Sequence, residues 1–163
     1  MTRFINPLFV NSCIDSNIVH HMAAESWEPI RRILELYIEN KIQLIIPHSV
    51  RTELLSPKTP ARVRAAVQDL IFTKTVGLTV EERKERDRLI KLARGNAKLE
   101  NIAADLLHVA ESVKYGGYFI TLDKRLLNRA VVISDVIGIE VVTPENFMER
   151  VAEAQKGLDQ ERI

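Results

Sequence analysis

Four acidic residues in this sequence either follow a short apolar run or lie within one. Asp15 and Asp123 come directly after apolar runs, Glu53 lies shortly beyond another, and Asp105 has alanine and leucine on both sides. Carboxylates gathered in one place repel one another, and burying an unpaired carboxylate is costly, so such a group requires a cation. Oxygen ligands suit a hard ion such as Mg²⁺ or Mn²⁺ rather than zinc. The four acids therefore indicate a candidate site for a divalent metal ion, and such sites serve many phosphoryl reactions.

Each of these acids also has a purely structural explanation. Asp15 and Asp123 could cap the helices that follow them, because aspartate is a common N-cap residue. Glu53 could lie exposed on a short helix, and Asp105 could lie half-exposed at the edge of an apolar stripe. Taken together, the four acids favour one shared site. We therefore expect at least one of them to have a raised pKa when no cation is bound.

Four apolar runs predict the strands that must position these acids, and helical spacing prevails between them. The predicted strands are Leu8–Ile14, Gln43–Ile46, Tyr118–Leu122 and Ile139–Val142. Short apolar strands separated by helices predict a three-layer α/β/α fold, with a short parallel sheet of four to five strands and helices on both faces. Ligands of such sheets bind beyond the carboxyl ends of the strands, which is where Asp15 and Asp123 fall.

Length and composition predict one soluble domain. The chain has 163 residues, of which 46% are hydrophobic and 28% charged. We expect a single domain over residues 1–155, followed by a polar tail at 156–163 that frays. No apolar run approaches the roughly 18 residues that a membrane span needs, so we expect no membrane association. The lone cysteine, Cys13, cannot form an intramolecular disulfide, and we therefore expect a cytoplasmic protein.

The net charge of +1 conceals an uneven distribution along the chain. Residues 58–98, which we predict to be a helical insertion, carry 11 basic and 5 acidic side chains, whereas both flanking regions are net acidic. One interpretation is a solvated helical face on which charges of both signs alternate. The other is a surface that grips phosphates beside the acidic site. Under the second interpretation, the predicted RNA-binding residues are Lys58, Arg62, Arg64 and Lys74.

Five segments of the sequence, taken in order, resemble the PIN-domain family. Residues 9–17 (FVNSCIDSN) are similar to its opening strand and Asp-Thr/Ser-Asn motif, and residues 45–54 (IIPHSVRTEL) to its second block. The third and fourth blocks resemble 104–110 (ADLLHVA) and 118–126 (YFITLDKRL), and 139–147 (IEVVTPENF) resembles the closing strand and helix. The resemblance covers nearly the whole chain except the basic segment 58–98. Ser16 stands where the family more often has threonine.

The resemblance implies a PIN-like fold and a metal-dependent endoribonuclease that hydrolyses RNA phosphodiester bonds. It implies that one or two Mg²⁺ or Mn²⁺ ions are held by Asp15, Asp105 and Asp123. Glu53 would complete this pocket and position a water molecule, so that all four acids are catalytic. Asn17 and Thr121 would orient the acids from behind.

The resemblance also implies partners. Many small members of the family are VapC-like toxins of type II toxin–antitoxin pairs, which an antitoxin protein holds inactive. RNA and an antitoxin are therefore the partners implied, and a homodimer is a further expectation.

Two other functions compete with this interpretation. One is a phosphodiesterase or phosphatase that acts on a smaller substrate. The other is a catalytically silent PIN-like module that binds RNA or protein, although a binding surface alone has no reason to retain four mutually repelling acids. The histidines lack the spacing of a transition-metal site. For His108, one turn beyond Asp105, we expect packing against the sheet.

Overall fold

The computed structural model describes residues 4–24, 27–68, 71–72, 79–96, 98, 100 and 102–161. In these ranges five strands form one parallel sheet in the order β3-β2-β1-β4-β5. The strands are β1 (Asn11–Ile14), β2 (Gln43–Ile46), β3 (Ile71–Phe72), β4 (Tyr118–Ile120) and β5 (Glu140–Val142). The order changes direction between β1 and β4, which is where parallel sheets commonly open a crevice for ligands.

Nine helices connect these strands in the described part of the chain. They are α1 (Ser16–Ala24), α2 (Glu28–Ile38), α3 (His48–Leu54), α4 (Ala61–Gln68), α5 (Val80–Arg94), α6 (Ala103–Ser112), α7 (Lys124–Leu127), α8 (Ala130–Ile137) and α9 (Pro144–Gln160). Among them, no helix is both long and apolar enough to cross a membrane.

The sheet separates two hydrophobic cores, because successive strand residues point to opposite faces. Ile14 on β1 belongs to the first core, with helices α1, α2, α3, α4 and α9. Cys13, its neighbour on the same strand, belongs to the second core, with α5, α6, α7 and α8. Both residues are fully buried. The prediction of a three-layer α/β/α fold with a short parallel sheet is therefore confirmed.

The predicted helical segment 58–98 does contain helices, but the prediction missed a strand. The segment contains α4 and α5, but between them β3 pairs in parallel with β2 at the edge of the sheet. Its two helices also cover opposite faces, since Val63 of α4 lies in the first core and Leu89 of α5 in the second. Helices α4 and α5 and strand β3 are therefore part of the three-layer framework.

Three predicted boundaries also need correction, and one of them is the end of the third predicted strand, which lies at Ile120 rather than Leu122. The first strand starts at Asn11 rather than Leu8, because the amides of Leu8 and Phe9 donate to Asn6 and form a turn. The tail predicted to fray at 156–163 is helical as far as Gln160, since α9 continues through it. Buried Val151 and Ala154 anchor this helix, and the polar residues beyond them are compatible with helix. Residues 162–163 lie outside the described ranges.

The turn before β4 brings its backbone close to β1. The amide of Gly117 donates to the carbonyl oxygen of Asn11 over 3.0 Å, and a Cβ at Gly116 would lie only 2.6 Å from that same oxygen. Glycine at position 116 therefore allows the two central strands to pair.

We expect Gly116→Ala to lower the free energy of unfolding by about 1–3 kcal/mol, because the added methyl group overlaps the backbone of Asn11. Gly157→Ala is the matched control, since a Cβ there would meet no described atom within 4 Å. This control should raise stability by about 0.5–1 kcal/mol, as alanine favours helix over glycine. Urea denaturation followed by circular dichroism measures both. Equal effects of the two substitutions would contradict the close approach.

Candidate functional site

Asp15 lies at the carboxyl end of the central strand β1 and is only 4% exposed. Its Oδ1 accepts a hydrogen bond from the Ser16 amide at 2.8 Å, and its Oδ2 accepts from Thr121 Oγ1 at 2.7 Å and Asn17 Nδ2 at 3.3 Å. Burial raises the pKa of Asp15, and the hydrogen bonds from Thr121 and Ser16 offset this only in part. The side chain is thus held in one orientation at a high electrostatic cost.

Thr121 and Asn17 connect Asp15 to the end of β4, on the other side of the switch in strand order. Thr121 Oγ1 donates to Asp15 and accepts from the Asp123 amide at 3.0 Å. Asn17 Oδ1 accepts from the Leu122 amide at 3.2 Å. The two residues that the resemblance assigned to orienting the acids therefore contact Asp15 and the chain around Asp123.

Asp105 and Asp123 share the guanidinium of Arg125. Nη2 of Arg125 lies 2.9 Å from Asp105 Oδ2 and 2.9 Å from Asp123 Oδ2. Asp123 Oδ1 also accepts from the Arg125 amide at 2.8 Å, so Asp123 caps α7, as the structural explanation predicted. Sequence reasoning missed Arg125, although it lies two residues after Asp123 in the quoted segment 118–126.

The pKa values of Asp105 and Asp123 shift in opposite directions. For Asp105, burial raises the pKa, Arg125 counteracts it, and the charges of Asp123 and Asp15 raise it further. For Asp123, burial opposes ionisation, but the hydrogen bonds and charge of Arg125 outweigh it and hold the pKa below its usual range. The expectation of a raised carboxyl pKa is confirmed for Asp15 and Asp105. Its main cause is burial rather than repulsion between the acids.

Glu53 is the fourth acid of the group. It lies on α3, 56% exposed, and its Oε2 is 3.1 Å from Nε2 of His108 on α6. The charge of Glu53 adds to the rise in the pKa of Asp15. Charge therefore links the four predicted acids in steps: Glu53 acts on Asp15, and Asp15 and Asp123 act on Asp105.

His108 does more than pack against the sheet. It is buried on α6, but its two ring nitrogens contact Glu53 and Ser49. Ser49 also contacts Glu111, another residue that sequence reasoning missed. The available signal was helical spacing: Asp105, His108 and Glu111 follow one another at intervals of three and so share one face of α6.

The acids supply only oxygen donors, which fit a hard divalent ion. Within the described ranges, however, no group of three or more His, Cys, Asp or Glu side chains is arranged to hold a metal ion. The guanidinium of Arg125 provides the positive charge beside Asp105 and Asp123. A metal ion would have to compete with this charge.

The basic residues predicted to bind RNA differ in their exposure and in their contacts. Lys58 and Arg62 are exposed, near and on α4. Arg64 Nη1 instead donates to the carbonyl oxygens of Pro57 at 3.1 Å and Thr59 at 2.9 Å, so it stabilises the turn before its helix. Lys74 lies outside the described residues.

The charged helix α5 carries paired charges of both signs. Lys84 pairs with Glu81 at 3.1 Å, and Glu82 pairs with Lys114 at 2.9 Å. This pattern is the one expected of a solvated helical face.

No protein-family model matches this sequence, and no curated protein matches it. The similarity to PIN domains therefore rests on the five quoted segments. Of the residues quoted in those segments, Asn17 and Thr121 hydrogen-bond Asp15, the charge of Glu53 acts on Asp15, and the charge of Asp15 acts on Asp105.

The raised pKa of Asp105 predicts how stability depends on pH. A carboxyl whose pKa is higher in the folded state than in the unfolded state destabilises the fold as pH rises from its unfolded value, about 3.9, through its folded value. Asp105→Asn removes this titration. We therefore expect the stability of the variant relative to wild type to increase with pH across this interval and then to level off.

Urea denaturation at a series of pH values measures the effect. The control is Asp159→Asn, which removes the same charge from an exposed position near the end of α9. The control should show a much flatter difference from wild type. If the free energy of unfolding of wild type instead increased relative to that of Asp105→Asn as pH rises, the raised pKa of Asp105 would be contradicted.

Proposed function

We propose that this protein is a metal-dependent endoribonuclease that acts on RNA in the cytoplasm. The observation that carries this proposal is the placement of Asp15. Thr121 and Asn17 hold its buried carboxylate at the switch in strand order. The charge of Glu53 raises the pKa of Asp15, and the charge of Asp15 raises the pKa of Asp105. A carboxylate kept there despite the cost of burial is better explained by chemistry than by packing.

Asp15, Asp105 and Asp123 would hold the metal ion. When bound, Mg²⁺ or Mn²⁺ supplies an activated water and stabilises negative charge on the phosphoryl oxygens. Thr121 and Asn17 keep Asp15 in one orientation. Glu53, the exposed acid of the group, would orient the attacking water. Attack by water, with the 3′-oxygen leaving, gives RNA fragments with 5′-phosphate and 3′-hydroxyl ends.

The narrower proposal is that the protein is the toxin of a type II toxin–antitoxin pair. It rests on the resemblance of the five segments to VapC-like PIN domains. An antitoxin protein and a second copy of the chain belong to this narrower proposal as partners. The smaller phosphoryl substrates considered above would use the same acids.

A second candidate function is a catalytically silent module that binds RNA or protein. The observation in its favour is Arg125, because its guanidinium neutralises Asp105 and Asp123 without a metal ion. A module of this kind would keep the acids as structural ion pairs. Activity and metal binding distinguish the two functions.

We expect the purified protein to cleave single-stranded or looped RNA when Mg²⁺ or Mn²⁺ is present and to stop when the metal is chelated. Asp15→Asn and Asp105→Asn keep the side-chain shape but remove a ligand charge, so the cleavage rate should fall by about 100-fold or more. Asp159→Asn is the matched control and should cleave like wild type. Gel analysis with end mapping gives both rates and fragment ends.

Two outcomes would contradict the proposal. Cleavage that persists in chelator, or in both Asn variants, would show that these acids do not carry the reaction. Absence of cleavage of any tested RNA by wild type would favour the silent module.

Competition between Arg125 and metal gives an independent prediction. Arg125→Gln removes the guanidinium from Asp105 and Asp123, which increases their net negative charge and their attraction for a cation. We expect the variant to bind Mn²⁺ about 10-fold more tightly than wild type, as measured by titration calorimetry. Lys124→Gln, an exposed neighbour on α7, removes the same charge and should change the affinity much less. Failure of every one of these proteins to bind Mn²⁺ would favour the silent module.

A further inference from the structure

A chain of hydrogen bonds joins α3 to α6 and ends at Glu53. Ser49 Oγ lies 2.6 Å from Glu111 Oε2 and 2.6 Å from His108 Nδ1, and His108 Nε2 lies 3.1 Å from Glu53 Oε2. The Ser49 amide also donates to Glu111 Oε2 over 3.0 Å. The exposed carboxylate of Glu53 is thus connected through a buried imidazole to Glu111, which is partly buried.

The single hydroxyl proton of Ser49 fixes the direction of this chain. In the contact between Ser49 Oγ and Glu111 Oε2, the hydroxyl donates and the carboxylate oxygen accepts. The Ser49 oxygen then has no proton left for His108. The 2.6 Å contact between them therefore requires that His108 Nδ1 carries a proton and donates to Ser49 Oγ.

This assignment determines what happens at the other ring nitrogen. One proton must lie between His108 Nε2 and Glu53 Oε2, on either the imidazole or the carboxyl group, for the 3.1 Å contact to be a hydrogen bond. In both cases the contact restrains Glu53. The restraint comes from a side chain that is only 7% exposed, whereas Glu53 is 56% exposed.

The same assignment excludes Ser49 as a nucleophile. A serine nucleophile needs a histidine that accepts its proton, but here His108 donates to Ser49 and the hydroxyl proton points to Glu111. The three residues behind Glu53 are therefore a support rather than a second reactive centre.

We propose that His108 is a positioning residue, which holds the carboxylate of Glu53 toward Asp15 and is itself held by Ser49 and Glu111. This inference rests on the proposed function, in which Glu53 orients the attacking water. A long, exposed glutamate loses rotational freedom when it is ordered, and the bond from His108 offsets that cost before substrate arrives. His108 acts through Glu53 and contacts no substrate.

Two substitutions test the hydrogen bonds of the two ring nitrogens of His108 separately. His108→Gln can place its amide near the position of Nε2, where it donates to Glu53 but loses Ser49. His108→Asn is shorter and places its amide near Nδ1, where it keeps Ser49 but cannot reach Glu53. Both variants carry a neutral amide, and thermal melting of each checks that the fold is retained.

We expect kcat for RNA cleavage to fall about 10- to 100-fold in His108→Asn, with KM changed by no more than about twofold. His108→Gln should retain kcat within about threefold of wild type, because the donor to Glu53 is preserved. In a Glu53→Gln background, His108→Asn should have little further effect, since the two residues act as a unit. Equal kcat in wild type and both single variants would overturn the positioning role.

A measurement without RNA separates this inference from the proposed function. ¹⁵N NMR of the histidine rings reports which nitrogens carry protons. We expect a proton on Nδ1 of His108, and a shift of the Nε2 resonance in Glu53→Gln relative to the control Glu35→Gln, an exposed acid on α2. If wild type cleaves no RNA, the proposed function fails, and these resonances alone decide whether His108 holds Glu53. An Nε2 resonance unchanged in Glu53→Gln would overturn the inference.

Discussion

The burial of one carboxylate, that of Asp15, constrains the rest of the site. A charge removed from water at the end of the central strand β1 needs hydrogen-bond donors, and the chain supplies them from two directions. The Ser16 amide and Asn17 come from the start of α1, and Thr121 comes from the end of β4. Because β1 and β4 are adjacent parallel strands, their carboxyl ends lie side by side, and Thr121 can reach across. The site therefore depends on the pairing that glycine at position 116 permits.

Two basic side chains, the guanidinium of Arg125 and the imidazole of His108, contact the other three acids of the site. Arg125 on α7 pairs with Asp105 and Asp123, whereas His108 on α6 contacts Glu53. In the first pairing the Arg125 side chain is 54% exposed, whereas the Asp105 and Asp123 side chains are only 21% and 17% exposed. In the second pairing the imidazole is the buried partner and Glu53 the exposed one. The site thus has an exposed base on one side and a buried base on the other.

The sequence was sufficient to predict the layer architecture and the sheet class. Apolar runs and helical spacing are local signals, and parallel strands bring their carboxyl ends to one edge whatever their order. Strand β3 escaped prediction because two residues cannot display a period, and the surrounding basic residues masked it. The length of α9 was underestimated because polar residues near a chain end fit both a frayed tail and a solvated helix.

Arg125 and the chain behind Glu53 depend on tertiary packing. Side-chain rotamers and the approach of α6 to α7 determine the position of the Arg125 guanidinium. Spacing along the sequence encodes neither of them. His108 and Glu111 share a face of α6 with Asp105, and that much was readable from their intervals. Their role became clear only when α3 was seen to place Ser49 and Glu53 against that face.

The shortness of the two edge strands has a consequence for self-association. β3 and β5, which form the edges of the described sheet, are two and three residues long, so each offers few open backbone amides and carbonyls to another molecule. Extension of the sheet from one copy of the chain to the next would form only a few hydrogen bonds and is disfavoured. Among the described residues, contacts between two copies would therefore fall mainly on side chains rather than on open backbone groups of the sheet.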